Sequence, residues 1–220
     1  MTTSAHPGGS PAAAAGVPRW PAAVAMLVAA VLLALVSNRL TVGPSWLTLA
    51  IVLVLTVPIT IAGLRGRHDW RQRLAYASLS ATTLLIAASV ILLVQHLLVN
   101  AIDAPALLSG AAAIWVANCV IFAVWYWEID GGGPAKRRRD GHVSSDFLFP
   151  QLQIGDGTSS GGWWPGFIDY LFVAWNASTA FSPTDTLILT RRAKVLMMIQ
   201  SLMSLVTIAV LAARAINTIK

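Results

Sequence analysis

The chain has 220 residues, is 56% hydrophobic and 11% charged, and has a mean hydropathy of +0.70. Soluble domains carry about 25% charged residues, so the composition excludes a soluble globular protein and indicates an integral membrane protein. The net charge of +6 does not imply a nucleic-acid partner, because the basic residues sit in short clusters between apolar runs, where they set orientation.

Residues 1–18 are mostly Ala, Pro, Gly, Ser and Thr. Such a segment cannot bury enough apolar surface to offset its ordering entropy, and a disordered tail is expected. Arg19 directly precedes the first apolar run, which reads as an uncleaved span rather than a signal peptide. Uncharged runs cover residues 20–38, 40–64, 74–95, 104–127 and 195–213. Each is long enough for a spanning helix, which needs roughly 17–25 residues and satisfies its own backbone in lipid. Pro58 in the second run should kink that helix. Cys119 is the single cysteine, so no intrachain disulfide forms, and it reads as a small buried hydrophobe. Trp20, Trp46, Trp70, Trp125, Trp127, Trp163 and Trp164 fall near span ends, where indole rings anchor at the interface.

Residues 128–165 contain Gly131-Gly132-Gly133, the basic cluster Lys136-Arg137-Arg138-Arg139, the patch Phe147-Leu148-Phe149-Pro150 and a Gly- and Ser-rich end. The first part reads as a flexible cytoplasmic loop, and the aromatic patch as an interfacial contact. The basic cluster reads first as a topology determinant. A second reading is attraction to anionic lipid, at about 1 kcal/mol per residue.

Residues 166–194 depart from the plain spans. A short apolar run at 170–174 gives way to Asn176-Ala177-Ser178-Thr179-Ala180, then Phe181-Ser182-Pro183-Thr184-Asp185, then Arg191, Arg192 and Lys194. The 15 uncharged residues between Asp169 and Asp185 fall short of a span, predicting a short re-entrant or interfacial helix. Asp169 and Asp185 bracket this dip, within reach of Arg191 and Arg192 if the chain turns back. Ser182-Pro183-Thr184-Asp185 reads equally as a helix start, with Ser182 as N-cap, or as a turn before the last span.

Orientation follows from Lys and Arg. With five spans and a non-crossing dip, one side holds Arg19, Arg65, Arg67, Arg71, Arg73, Lys136, Arg137, Arg138, Arg139, Arg191, Arg192 and Lys194. The other holds Arg39, Arg214 and Lys220. The excess places the N-terminus in the cytoplasm and the C-terminus outside.

No HExxH, GxSxG or GxxxxGK[ST] pattern occurs, and the Gly-rich residues 155–162 lack a leading strand and a phosphate-loop lysine. His96 is a lone histidine at a span end and reads as an interface residue. An enzyme is not expected, nor a cofactor or metal site. Gln200, Ser204, Thr207 and Arg214 share one face of the last helix, with Ser201 beside them. Such a face marks helix contact or an aqueous path. Intramembrane Asn118 and Asn176 must find partners. The candidate pore or polar-core residues are therefore Asn118, Asn176, Ser178, Thr179, Ser182, Asp185, Gln200, Ser204 and Thr207. The fourth span, the dip and the last span are expected to form one module.

Several blocks together resemble a family of predicted bacterial inner-membrane proteins of unknown function. They are Trp115-Val116-Ala117-Asn118, Tyr126, Phe149-Pro150, Ile168-Asp169-Tyr170-Leu171-Phe172, Thr179-Ala180-Phe181-Ser182-Pro183-Thr184-Asp185, Arg191-Arg192-Ala193-Lys194 and Arg214-Ala215-Ile216-Asn217. The resemblance covers roughly the C-terminal half and implies a multi-pass cell-membrane protein, without chemistry. A weaker resemblance is to the pore module of potassium channels, in its order of helix, short re-entrant helix, polar turn and helix. Residues 176–182 hold no glycine, whereas such filters need glycines to aim carbonyls inward. A degenerate pore is what that resemblance implies.

The expected architecture is an all-α integral membrane protein: a tail at 1–18, four spans within 19–127, a cytoplasmic loop at 128–165, and the dip with the last span at 166–220. The expected function is non-catalytic, through the bilayer or protein partners. The alternative is an oligomeric channel or transporter whose pore is built from the dip and the last helix.

Overall fold

The computed structural model describes residues 20–36, 38–44, 46–47, 49–54, 59, 68–99, 102–139, 145–153, 163–179 and 185–218. The tail, Pro58 and Ser182 lie outside these residues. The described chain is mostly helical: α1 (Trp20–Leu35), α2 (His68–Val99), α3 (Ala104–Ile129), a 3-10 turn (Asp130–Gly132), α4 (Pro134–Arg139), α5 (Pro150–Gln153), α6 (Phe167–Thr179) and α7 (Arg191–Thr218). Two short strands, β1 (Phe147–Leu148) and β2 (Leu187–Ile188), pair antiparallel, Phe147 opposite Ile188 and Leu148 opposite Leu187.

Among the described residues, three helices are long and apolar enough to cross a membrane, over Trp70–Val99, Ala104–Gly132 and Arg191–Ile216. Helix α1 is apolar but has 16 residues, short of the roughly 17–25 that a span needs. In the second apolar run, residues 49–54 are helical. The all-helical class is thus observed, and among the described residues three helices have spanning length where the hydropathy pattern suggests five.

Helix α3 is the centre. Of its most apolar stretch, 61% is buried, against 39% for α2 and 28% for α7. It touches α1, α2, α6 and α7. Small residues allow this crowding: α1 presents buried Ala22, Ala25 and Ala29 at helical spacing, and α3 presents Gly110 and Ala111. A methyl group at Gly110 would lie 2.6 Å from Leu40 Cδ1, so a larger residue there would have to push the Leu40 side chain aside.

Helices α1, α2 and α7 share one polarity, opposite to that of α3. Leu40, beyond the C-terminal end of α1, meets Gly110 near the start of α3. Arg71, near the start of α2, meets Glu128 at the end of α3. Arg192, at the start of α7, bonds Ile129 O at that same end. At the other end, Arg214 donates to Ile102 O. So α1, α2 and α7 all run antiparallel to α3. Gly110 and Glu128 are about 27 Å apart along α3, at 1.5 Å per residue. The chain between Leu40 and Arg71 therefore joins opposite ends of the bundle.

Helix α6 begins beside the end of α3, where Tyr170 meets Asp130. It rises until Ser178 meets Gln200, nine residues into α7. By Leu187–Ile188 the chain is back beside Phe147–Leu148, next to Asp146 and again at the end of α3. Both flanks of α6 thus lie at one end of the bundle.

Residues 128–139 differ from the flexible loop that their composition suggests. Gly131, Gly132 and Gly133 have φ of 59°, 79° and 100°, values that L side chains rarely adopt. They turn the chain sharply off α3 into α4: Gly133 N donates to Asp130 O at 3.0 Å to close the turn, and Arg137 N donates to Gly133 O at 2.9 Å to begin α4. Helix α7 begins at Arg191 rather than at Ser182.

Candidate functional site

Two polar layers hold α3, α6 and α7 together. The inner layer centres on Gln200, which is fully buried. Its amide donates to Ala174 O at 2.7 Å and to Ser178 Oγ at 2.8 Å. Its Oε1 accepts from the Tyr126 hydroxyl. Asn118 Nδ2 donates to Ser204 Oγ at 2.8 Å and Gln200 O at 3.2 Å. Ser201 Oγ reaches Ala177 O at 3.0 Å. One glutamine thereby ties three helices together. In an apolar interior each such contact replaces an unmet polar group, which would cost several kcal/mol (about 2–7). Asn118 Oδ1 is buried without a partner among the described residues.

The outer layer lies at the end of α3 and is ionic. Asp130 and Asp146 both have 0% exposure. Asp130 Oδ1 accepts the backbone N–H of Asp146 at 2.6 Å and of Phe147 at 3.2 Å. Its Oδ2 accepts the Tyr170 hydroxyl at 2.5 Å and lies 3.7 Å from Arg137 Nη1. Arg137 Nη1 also donates to Asp130 O at 2.8 Å and Trp127 O at 3.2 Å. Its guanidinium sits 5.0 Å from the Trp127 ring centre and 5.2 Å from that of Tyr170, a contact that favours a desolvated cation. Asp146 takes both arms of Arg192, Nε and Nη2, at 2.6 Å each. Thr190 Oγ1 and Gly131 N complete its shell. Beside them Arg71 pairs with Glu128 at 3.0 Å. Gln72 donates to Tyr76 Oη and Gly132 O, both at 2.9 Å.

Fork-on-carboxylate pairing and backbone N–H donors are the strongest hydrogen bonds available here. They clamp the strand pair and the first turn of α7 onto α3. Burial pushes the Tyr170 phenol well above its ordinary range, with Arg137 acting in the opposite direction. The phenol therefore stays a donor to Asp130. All these groups are consumed by one another. Among the described residues no cluster of three or more His, Cys, Asp or Glu could hold a metal ion.

The structure brings Asn118, Ser178, Gln200 and Ser204 into one network. Thr207 is buried and donates back to Met203 O, and Thr179 back to Trp175 O. Asn176 is half-buried, and Asp185 is exposed. Asp169 accepts from Gly166 N, and Arg192 takes Asp146 instead of Asp169 or Asp185. Sequence reasoning missed Asp130, Asp146, Arg137 and Arg71 as partners. The available signal was acids and arginines flanking the ends of apolar helices beside three consecutive glycines. Comparison with family models, curated proteins and solved structures gives no match.

Proposed function

We propose that this chain is a multi-pass cell-membrane protein that acts non-catalytically, through lipid or protein partners. One observation carries the reading: Gln200, Ser204 and Asn118, the polar residues that could line a path, face one another inside a single chain. The amide donors of Asn118 and Gln200 are spent between α3, α6 and α7, and all three residues are buried, so they form no water-facing row for a pore wall. The outward face of α7 is instead apolar, with Val195, Met198, Leu202, Leu205 and Ile208 exposed, a surface suited to acyl chains.

The proposed topology has five crossings, with α6 as a re-entrant helix. Support comes from the parallel course of α1 and α2, which puts Leu40 and Arg71 at opposite ends of the bundle. The basic residues Arg71, Arg137 and Arg192 gather at one end, which the positive-inside rule assigns to the cytoplasm.

Cysteine labelling in a Cys119→Ser background tests both parts. Cysteines at the exposed Ala135 and at Ala101 should label from opposite sides of intact cells. Those at Ser204 and Thr207 should resist small water-soluble thiol reagents, one at Asp185 should react, and reconstituted vesicles should pass no ions. Reactivity at Ser204 and Thr207 together with ion flux would establish the channel alternative instead.

A further inference from the structure

Beside the ionic layer, an open groove of about 460 Å³ runs between α2 and α7. Tyr76, Trp125 and Ile129 form one wall, and Val195 and Leu196 the other. The aromatic wall is preformed: Tyr76 and Trp125 stack with ring centres 5.7 Å apart. Trp125 Nε1 is tied to Thr83 Oγ1 at 3.0 Å, and the Tyr76 hydroxyl to Glu128 O at 3.2 Å. Their polar atoms are thus turned into the protein, and the rings face the groove.

Arg191 and Arg192, at the start of α7, complete the lining. Arg192 is half-exposed although Asp146 holds both its arms. Among the described residues no carboxylate pairs with Arg191, which is exposed. The groove therefore joins an apolar trough to an exposed cation that, among the described residues, no carboxylate compensates. It opens between two helices of spanning length, at the basic end of the bundle.

We propose that this groove binds an anionic phospholipid of the bilayer. The phosphate lies on Arg191 and the exposed edge of Arg192, and the first part of an acyl chain lies along Trp125, Val195 and Leu196. Three features select this occupant. The cation calls for an anion, the trough calls for a hydrocarbon, and both sit at the level where a lipid carries its phosphate above its chains. Basic pockets between membrane helices on the positive side take lipid headgroups for this reason. A soluble anion would leave the trough empty, and a zwitterionic lipid would bring its own cation against Arg191.

This inference rests on the membrane reading above. The test uses the full chain, extracted from membranes in mild detergent and incubated with mixed phosphatidylglycerol and phosphatidylcholine. Retained lipid is counted by mass spectrometry after gel filtration. The parent protein should retain phosphatidylglycerol in preference to phosphatidylcholine. Arg191→Gln should lower that retention about fivefold, the factor that one basic residue contributes at a membrane surface. Val195→Trp, which fills the trough, should lower retention of both lipids without removing Arg191. Inorganic phosphate at millimolar concentration should not compete. Equal retention of the two lipids, unchanged retention by Arg191→Gln, or competition by phosphate would each overturn the proposal. Because Arg191 lies outside the clamp, the variant should melt like the parent; a lower melting temperature would contradict the placement of Arg191. A protein released from membranes by carbonate washing would defeat the membrane reading itself, whereas firm integration without lipid preference would defeat the groove alone.

Discussion

The pair Asp146–Arg192 gives a sharp measure of what the ionic layer contributes. Asp146→Asn keeps the size of the side chain and removes its charge. The carboxylate accepts both arms of Arg192 at 2.6 Å, plus Thr190 and Gly131. Each charge-assisted bond is worth about 1.5–3 kcal/mol, and breaking a buried pair costs about 3–5 kcal/mol. The Arg192 side chain is 54% exposed, so the cation left behind can hydrate. That relief brings the expected loss down to about 2–3 kcal/mol. Arg192→Gln is the harsher change, because it strands a carboxylate of 0% exposure. The expected loss there is about 3–5 kcal/mol. The double variant should be no worse than Arg192→Gln alone, since it leaves no buried charge. Unfolding of the purified protein in mixed micelles, titrated with a denaturing detergent, reads all four proteins. Neighbours in one network couple by about 0.5–3 kcal/mol. Losses that simply add to within about 0.5 kcal/mol, or both singles at parental stability, would refute the clamp.

Two further predictions address the inner layer and the phenol. Gln200→Leu strands the Tyr126 hydroxyl and removes donors to Ala174 O and Ser178, and Asn118→Leu removes the tie to Ser204. Each should lower stability in the same assay by about 0.6–2 kcal/mol, the scale of interhelical polar contacts in membranes; two unchanged unfolding curves would sink the packing role. The Tyr170 phenol is raised by burial in the fold, whereas an unfolded tyrosine ionises near pH 10. Below about pH 10 both states keep the proton and stability does not depend on this group. As pH rises above that, the unfolded chain releases its proton first, and stability should fall by up to about 1.4 kcal/mol per pH unit. Tyr170→Phe should start from a lower stability, having lost the bond to Asp130, yet show a shallower decline. Parallel curves from pH 9 to 11 would rule this out.

Part of this architecture is legible along the chain. Hydropathy and helix period are local properties, so the positions of α2, α3 and α7 follow from runs of uncharged residues. The stop near Thr179 follows from the change to small polar residues. Asn118, Gln200 and Ser204 stand out for the same reason: polar groups inside apolar runs must find partners, whatever the fold. The partners themselves are another matter. Asp146 meets Arg192 across 46 residues of chain, and Tyr170 meets Asp130 across 40. Nothing local links them, and in sequence Arg137 looks like one of four interchangeable surface cations. Its burial between Trp127 and Tyr170 arises because Gly131, Gly132 and Gly133 adopt positive φ and fold α4 back against α3. Whether the polar face of α7 meets water or protein was likewise decided by which helices lie against it. The sequence by itself determined which segments are apolar helices and which residues cannot be left without a partner. The tertiary structure decided who the partners are, because burial and pairing depend on distances between segments that local propensity does not set.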